Sequence, residues 1–298
     1  MLIIAGTVPV DGLPLTFGEV RLDGEGLLVD GKRIPCTQGT GAMISAAVVT
    51  TEYLKVEGPR ALVVGDSGRG EGSREMYEYL IGNVARLSPS VLALHYCLPD
   101  MTLTRRLCDA VGGCSRRPAL IADASSMYAA KAAGLAAEFD VFTPDASEIA
   151  FLADPDAMHP AYIARHLFDT EVADVPRLIA AAYKLKDAAK TMLVKGAIDY
   201  IVRDGQVIET LSEPDVPALE AIGGTGDTIT GLVAAFVSAG LEPHEAAILA
   251  ARSNRMAGQE AAVTPATRVW RIVARFPDVF KQHLCRWSGV CYIDGGQR

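Results

Sequence analysis

Short apolar runs alternate with longer stretches of helical spacing along most of this chain. The runs at 61–64, 91–94, 120–122 and 192–194 are not interrupted by polar residues, and stretches with helical spacing separate most of them. Strands of this kind are buried on both faces, which is typical of a parallel sheet covered by helices on both sides. The alternation therefore predicts an α/β fold with a mostly parallel central sheet.

We expect one domain over residues 1–298, with three parts that differ in composition. Residues 1–40 are rich in Gly, Pro and charged residues and predict short strands and turns, whereas residues 41–264 carry the regular alternation and form the predicted core. Residues 265–298 form a C-terminal extension with one predicted helix, around 270–275. The sequence shows no internal repeat or domain-sized linker, and its length suits one large α/β domain.

The segment Gly223–Gly231 is the most specific motif of the chain. Glycine occupies three of its first four positions, and the apolar residues after it recur with helical spacing. A glycine turn that leads into a helix N-terminus predicts an anion site, because the free N–H groups and the helix dipole both favour negative charge. Asp227 is badly placed to bind a phosphate but well placed to take a proton from a hydroxyl that attacks one. The alternative is that Asp227 only caps its helix.

Polar residues follow the predicted strands where the chain turns toward the next element. They are Asp66, His95, Asp123, Asp145 and Lys195. Because ligands of open parallel sheets bind at the carboxyl ends of the strands, these positions predict a site along one edge of the sheet. We expect His95 to be a packed loop histidine rather than a base. The glycine-rich segment 65–72 lacks the lysine of a phosphate loop and predicts a flexible surface loop.

The charge balance argues against a nucleic-acid-binding protein. The chain has 28 Lys and Arg against 36 Asp and Glu, a net charge of −8 and a pI of about 5.2. No apolar run has the length of a membrane span, and Met1–Ile4 lacks the length and basic residues of a signal peptide. We therefore expect a cytoplasmic protein that binds neither nucleic acid nor membrane, with its six scattered cysteines reduced.

The order of these motifs resembles the ribokinase-like superfamily, and most closely its carbohydrate kinase-related branch, which includes the ATP- or ADP-dependent NAD(P)H-hydrate dehydratases. The matching segments are Gly41–Ile44, Asp123–Met127, Thr143–Glu148, Val194–Ala197, Gly223–Asp227 and Ala257–Gly258. The resemblance covers residues 36–264. It implies a ribokinase-like three-layer α/β/α sandwich.

The resemblance also implies a role for each matching residue. Asp227 would be the catalytic carboxylate, and the N–H groups of Gly224, Thr225 and Gly226 would form an anion hole for the transferring phosphoryl group. The residues implied to bind ATP or ADP are Lys195, Gly196, Ala197, Ile198, Asp199 and Gly226. Glu148 would help to hold Mg²⁺, a hard cation that prefers oxygen ligands. The residues implied to border the second substrate are Gly41, Ala42, Asp145 and Asp227.

Several of these residues have a structural alternative. Lys195 could be a solvated lysine at a strand end, and Glu148 an ordinary carboxylate in a first helical turn. Thr143-Pro144-Asp145 is also an N-cap signature. Asp123 could simply end its strand and cap the next helix.

Two features depart from the dehydratase pattern. Residues 95–100 stand where the dehydratases have a Gly-Pro-Gly-Leu-Gly loop that helps to receive the hydrated nicotinamide. Asp145 and Asn254 stand where the family usually has His. The resemblance therefore implies that the phosphate chemistry is retained and that the acceptor side is altered.

The function implied by the resemblance is nucleotide-dependent dehydration of hydrated NAD(P)H, through phosphorylation of its hydroxyl group and elimination of the phosphate. A kinase acting on a sugar or another small alcohol would use the same residues, and a non-catalytic nucleotide-binding protein would keep the fold. The intact Gly224–Asp227 segment argues against the third function, because a carboxylate beside phosphates repels them. The implied partner is a small-molecule substrate, and the resemblance favours a homo-oligomer.

Overall fold

The computed structural model describes residues 1–157 and 174–289, and in this part of the chain eleven strands form one sheet. The strands are β1 (Leu2–Val8), β2 (Thr16–Asp23), β3 (Gly26–Val29), β4 (Lys32–Pro35), β5 (Arg60–Gly65), β6 (Val91–His95), β7 (Ala119–Ala122), β8 (Val141–Phe142), β9 (Thr191–Val194), β10 (Asp199–Arg203) and β11 (Gln206–Leu211). Their spatial order is β11-β10-β9-β8-β7-β6-β1-β5-β2-β3-β4. The strands from β9 to β5 in this order are parallel, whereas β10 and β2 pair antiparallel at the two ends of that run.

Helices connect most of the parallel strands. They are α1 (Gly39–Leu54), α2 (Glu71–Leu87), α3 (Met101–Gly112), α4 (Ser125–Ala132), α5 (Ala146–Ala153), α6 (Val175–Leu185), α7 (Thr225–Ser238), α8 (Pro243–Glu260), α9 (Val269–Val273), α10 (Phe276–Val279) and α11 (Cys285–Ser288). Short 3₁₀ turns lie at Ala136–Glu138 and Pro217–Ala221, and a π-helical turn, Phe280–Leu284, joins α10 to α11.

Two hydrophobic cores cover the two faces of the sheet. Along β1, Leu2 and Ile4 point into one core while Ile3 and Ala5 point into the other, as the two-residue period of a strand requires. The first core contains α1, α7, α8 and the C-terminal helices, and the second contains α2 to α6. The predicted three-layer α/β/α fold with a mostly parallel sheet is confirmed.

The predicted strands and the hairpin at Asp204-Gly205 are present, and the predicted helices lie within a few residues of their expected bounds. No local sequence pattern places β1 inside the parallel run, between β5 and β6. Helix α6 is a further element without a sequence prediction, although Asp174 caps it and a proline lies in its first turn. Of the helices in the described ranges, none is long and apolar enough to cross a membrane.

The glycine-rich segment 65–72 reaches the surface, as expected, but three consecutive backbone N–H groups in it already have a partner. Oδ1 of Asp66 accepts the N–H groups of Gly68, Arg69 and Gly70, and Oδ2 accepts that of Ser73. The loop therefore binds its own carboxylate where a phosphate loop would bind its ligand.

Four cysteines are free thiols, as expected: Cys36, Cys97, Cys108 and Cys114. Cys285 is disulfide-bonded, so the expectation that every cysteine is reduced is wrong for this residue.

Candidate active site

A cavity of about 800 Å³ lies at the carboxyl ends of β7, β8 and β9, beside the N-terminus of α7. Most of the residues that the resemblance implied are in its lining: Asp145, Glu148, Lys195, Gly196, Ala197, Ile198, Asp199, Gly224, Thr225, Gly226 and Asp227. A volume of this size suits a small-molecule or cofactor site. The structure therefore brings together, in one cavity, residues that are far apart in the sequence.

Asp227, in the first turn of α7, is held from two sides. Its Oδ2 accepts the N–H of Gly39 at 2.6 Å, and its Oδ1 lies 2.9 Å from Nε2 of His95. Burial would raise the pKa of Asp227, but the hydrogen bond and charge of His95, the charge of Lys195 and the Gly39 N–H together lower it. The carboxylate is therefore ionised at neutral pH and able to accept a proton from a ligand.

The glycine turn before α7 allows a close approach of the backbone. Gly224 has a positive φ of 98°, and a Cβ atom there would lie 3.0 Å from Cα of Gln38. The first N–H groups of a helix have no partner within it, which leaves the N–H groups of Gly226 and Asp227, two residues of the cavity lining, available as donors. The N–H of Thr225 differs, because it makes a long bond of 3.5 Å to the carbonyl oxygen of Ile222.

Lys195, at the end of β9, carries a positive charge in the cavity. Its Nζ lies 3.0 Å and 3.2 Å from the two carboxylate oxygens of Asp123. Burial favours the neutral amine, but Asp123, Glu148 and Asp227 outweigh this and raise the pKa of Lys195. A Cβ atom on Gly226 would lie 3.4 Å from Nζ, so the ammonium group lies directly over the glycine turn.

Asp123 does not cap the helix that follows it. The N-cap of α4 is Ala124, without a side-chain hydrogen bond, and the Asp123 carboxylate instead accepts from Lys195 and from the Thr230 hydroxyl of α7. Because it contacts both Lys195 after β9 and Thr230 of α7, the buried Asp123 carboxylate connects these two elements. The helix-cap alternative for Asp123 is wrong.

Asp145 and Glu148 form a capping box at the start of α5. Oδ1 of Asp145 accepts the N–H groups of Ser147 and Glu148, and Oε2 of Glu148 accepts the N–H of Asp145 at 2.8 Å. Asp145 thus makes the N-cap contacts of the structural alternative while also lining the cavity. Burial raises the pKa of Glu148 well above its usual range, and Asp123 and Asp145 add to this against the opposing charge of Lys195.

Arg255 of α8, which the sequence analysis did not single out, fixes the loop after Lys195. Its Nε donates to Asp199 at 2.6 Å, and its Nη2 donates to the carbonyl oxygens of Gly196 and Ala197 at 2.8 and 2.9 Å. Asp199 is buried and also accepts the N–H of Gly196. The Asp199 carboxylate therefore holds the loop 196–199 in place from its buried side.

The altered acceptor segment, residues 95–100, reaches the site through its first two residues, His95 and Tyr96. His95 ends β6 and is completely buried, so it is packed as expected, but against Asp227 rather than in a loop. Tyr96 lines the cavity with 47% of its surface exposed, and its ring meets His95 edge-on at 4.3 Å between centroids. Burial, then the nearby Asp227, raises the pKa of Tyr96 to about 12, so its hydroxyl stays protonated. No motif pointed to the His95–Asp227 pair.

Gly41 and Ala42 do not belong to the cavity lining. Both are buried in the first turns of α1, and a Cβ atom on Gly41 would lie 2.3 Å from the carbonyl oxygen of Pro35. It is Gly39, at the start of the same helix, that touches Asp227. Gly41 thus permits close packing behind the site.

His95, Asp123 and Asp227 offer three possible metal ligands within 4.8 Å of one another. Each already has a hydrogen-bond partner, and the ammonium group of Lys195 lies against Asp123. Lys195 therefore already supplies one positive charge beside this cluster.

Comparisons with known proteins support the family and the fold that the motifs indicate. A family model described as NAD(P)H-hydrate dehydratase matches residues 98–272. The uncharacterized protein MJ1337 of Methanocaldococcus jannaschii is 37% identical over 242 residues, which are 81% of this chain and 100% of that protein. The ADP-dependent (S)-NAD(P)H-hydrate dehydratase of Nitrosopumilus maritimus is 41% identical over 76 residues, only 26% of this chain and 25% of that one.

Solved structures share the fold. Pyridoxal kinase from Entamoeba histolytica matches 93% of this chain and 95% of its own with a TM-score of 0.54 and 15% sequence identity. At this identity the likeness shows the fold alone.

Proposed function

The chain belongs to the NAD(P)H-hydrate dehydratase family and has the ribokinase-like fold, and from this premise we propose that it dehydrates hydrated NADH or NADPH with ATP or ADP as the phosphoryl donor. The position of Asp227 is the main support. Its ionised carboxylate lies at the N-terminus of α7, in the same cavity as Lys195. This pairs a proton acceptor with a phosphate-binding cation.

The nucleotide would bind along Lys195 and the loop 196–199. The ammonium group of Lys195 is charged and can contact the phosphates, and Arg255 holds the backbone of the loop in place. Ile198 is 43% exposed and offers an apolar surface to the base. The N–H groups at the start of α7 would receive the negative charge of the transferring phosphoryl group.

The reaction would begin with attack of the substrate hydroxyl oxygen on the terminal phosphorus of the nucleotide. A new O–P bond forms, the bond to the leaving nucleotide breaks with its electron pair on the nucleotide oxygen, and the hydroxyl proton passes to Asp227. The C–O bond to the phosphate then breaks with its electron pair on phosphate. A proton passes from the neighbouring ring carbon to water, and the electron pair of that C–H bond restores the double bond.

Mg²⁺ is expected with a nucleotide phosphate, and the residues around Glu148 fit it. Oε2 of Glu148 accepts the Asp145 N–H, which leaves Oε1 for a cation. Burial raises the pKa of Glu148, and a cation beside it would compensate for the burial of its charge. Oxygen donors suit Mg²⁺, which would neutralise phosphate charge when bound.

Recovery of the reduced-nicotinamide absorbance tests the proposal. The full-length protein is incubated with hydrated NADH, Mg²⁺ and either ATP or ADP, and nucleotide-dependent recovery is expected. Asp227→Asn should lose about 10²- to 10⁴-fold in rate while nucleotide binding, measured by calorimetry, stays unchanged. Asp11→Asn, at an exposed carboxylate, is the matched control and should keep the rate. Recovery without nucleotide, or full activity of Asp227→Asn, would contradict the proposal.

A kinase for another small alcohol is the second candidate, and the segment 95–100 favours it. Where the dehydratases have a glycine loop, this chain has the half-exposed Tyr96 in the cavity. Such a kinase would use Asp227 and Lys195 in the same way but release a stable phosphate ester. Accumulation of that ester, without nicotinamide recovery, would identify it. Membership of an enzyme family speaks against the non-catalytic alternative.

The cytoplasmic location, the homo-oligomeric state and the division of one domain into three parts stay predictions. Size-exclusion chromatography with light scattering would measure the oligomeric state.

A further inference from the structure

Both ring nitrogens of the buried His95 have polar neighbours. Nδ1 lies 3.1 Å from the hydroxyl oxygen of Thr40, and Nε2 lies 2.9 Å from Oδ1 of Asp227. Whether each ring nitrogen carries a proton follows from whether its neighbour donates or accepts the hydrogen bond between them.

Thr40 fixes the proton on Nδ1. A hydroxyl group has one proton to donate, and that of Thr40 donates to the carbonyl oxygen of Thr7 at 2.7 Å. This contact is shorter than the 3.1 Å contact with His95. The Thr40 oxygen is then free to accept, so Nδ1 of His95 is the donor between the two groups.

Asp227 fixes the proton on Nε2. A nitrogen and an oxygen 2.9 Å apart need a proton between them. The other oxygen of Asp227, Oδ2, accepts the Gly39 N–H at 2.6 Å, and the Lys195 ammonium group lies in the same cavity, so contacts other than His95 already favour the carboxylate form of Asp227. The shared proton therefore belongs to Nε2, and the ring with two N–H groups is an imidazolium.

The charged groups around His95 favour a cation there. Nε2 lies 2.9 Å from Asp227 on α7 and 3.9 Å from Asp123 after β7. The ring of Tyr96 meets His95 edge-on and is neutral, and Lys195 at the end of β9 is bonded to Asp123. Oxygens of two different carboxylates therefore lie within 4 Å of the same ring nitrogen.

We propose that His95 is a positioning residue, an imidazolium whose Nε2–H fixes the orientation of the Asp227 carboxylate for proton transfer. This rests on the proposed function, in which Asp227 takes the proton of the substrate hydroxyl. His95 holds Oδ1 while the Gly39 N–H holds Oδ2 at 2.6 Å, so both oxygens are fixed. His95 belongs to the segment 95–100, which stands where the dehydratases have a glycine loop. The contact between His95 and Asp227 is therefore part of the altered acceptor side.

The protonation state can be measured without any activity. In the ¹⁵N-labelled full-length protein, the His95 imidazole resonances are assigned by their loss in His95→Gln. Both nitrogens should carry protons at neutral pH. A His95 ring with one unprotonated nitrogen at neutral pH would overturn the proposal, whatever reaction the enzyme performs.

The kinetic consequence separates positioning from a packing role. Gln can supply an N–H donor but no charge, so His95→Gln should lower kcat about 10- to 100-fold with little change in the KM of the nucleotide. Since loss of the imidazolium raises the pKa of Asp227, and activity needs the ionised form, the acid limb of the kcat profile should move to higher pH. His244→Gln, at a histidine outside the cavity lining, is the control and should change neither quantity.

The outcomes separate this proposal from the proposed function. If wild-type protein lacks dehydratase activity but shows an imidazolium at His95, only the dehydratase assignment fails, and the pH profile is then measured on the kinase reaction. If His95→Gln keeps both its kcat and its acid limb, the positioning role is wrong even where the imidazolium is seen.

Discussion

Gly231 of α7 lies directly against the main chain of Met43 on α1: a Cβ atom on Gly231 would lie 2.1 Å from the Met43 carbonyl oxygen. This close contact brings the start of α1 beside the first turn of α7. There the Gly39 N–H donates to Asp227 at 2.6 Å. Because Gly231 has no side chain, α1 and α7 lie close enough for the Gly39 N–H to reach Asp227, the proposed base.

Gly231→Ala should therefore reduce both stability and activity. The added methyl group must push α1 and α7 apart, which we expect to lower the free energy of unfolding by about 1–3 kcal/mol. Urea denaturation measures this, and turnover should fall in parallel because the Gly39 contact lengthens. The control is Gly82→Ala on α2, where a Cβ atom meets nothing within 4 Å and the free energy of unfolding should rise by about 0.5–1 kcal/mol. Equal effects of the two substitutions would show that the close contact does not matter.

Lys195→Met should weaken nucleotide binding and destabilise the fold for different reasons. Loss of the ammonium group removes a charge-assisted contact with phosphate, which corresponds to about a 10- to 100-fold rise in the nucleotide Kd. It also removes the 3.0 Å ammonium contact of Asp123, which is 2% exposed, and should lower the free energy of unfolding by about 3 kcal/mol.

The double variant Lys195→Met/Asp123→Asn separates the two effects. Stability should recover, since no uncompensated buried charge remains, whereas nucleotide affinity should stay low. Calorimetry and urea denaturation on the same three proteins give both quantities. Recovery of the affinity along with the stability would mean that Lys195 does not contact the nucleotide.

Arg255→Met should disorganise the loop after β9. Arg255 is bonded to Asp199 and to the carbonyl oxygens of Gly196 and Ala197, and its loss leaves a buried carboxylate unpaired, a change of about 3–5 kcal/mol in the free energy of unfolding. The KM of the nucleotide should rise as well. Arg252→Met is the matched control on the same helix, because its contact with Glu209 is long, 3.7 Å, and partly exposed, and should contribute only about 0–1 kcal/mol. A nucleotide KM that is unchanged in Arg255→Met would show that the loop does not bind the nucleotide.

The sheet could be predicted from the sequence because its signal is local. Residues 61–64 and 91–94 are apolar on both strand faces, and only a sheet with helices on both sides buries both. The glycine turn at 223–226 was likewise visible, because its conformation depends on its own residues.

The contacts that complete the site depend instead on how distant elements pack. His95 and Asp227 are 132 positions apart, and they meet because β6 lies next to β1 while α7 packs on α1. Arg255 lies two positions before the matching segment Ala257–Gly258 but is not part of it, and only the fold shows that it reaches the loop after Lys195. A single sequence contains no short-range pattern for such pairs.

Tyr96 should set the affinity for the acceptor at a cost in stability. It has a positive φ of 48°, a conformation that strains a side chain other than glycine by about 1–3 kcal/mol, and its ring is half-exposed in the cavity beside His95. Tyr96→Gly should relieve the strain, so the free energy of unfolding should not fall, while the KM of the acceptor should rise about tenfold through loss of an aromatic contact. Tyr96→Phe keeps the ring and tests the hydroxyl group, which stays protonated because the pKa of Tyr96 is raised to about 12. An acceptor KM that Tyr96→Gly leaves unchanged would exclude this residue from the acceptor site.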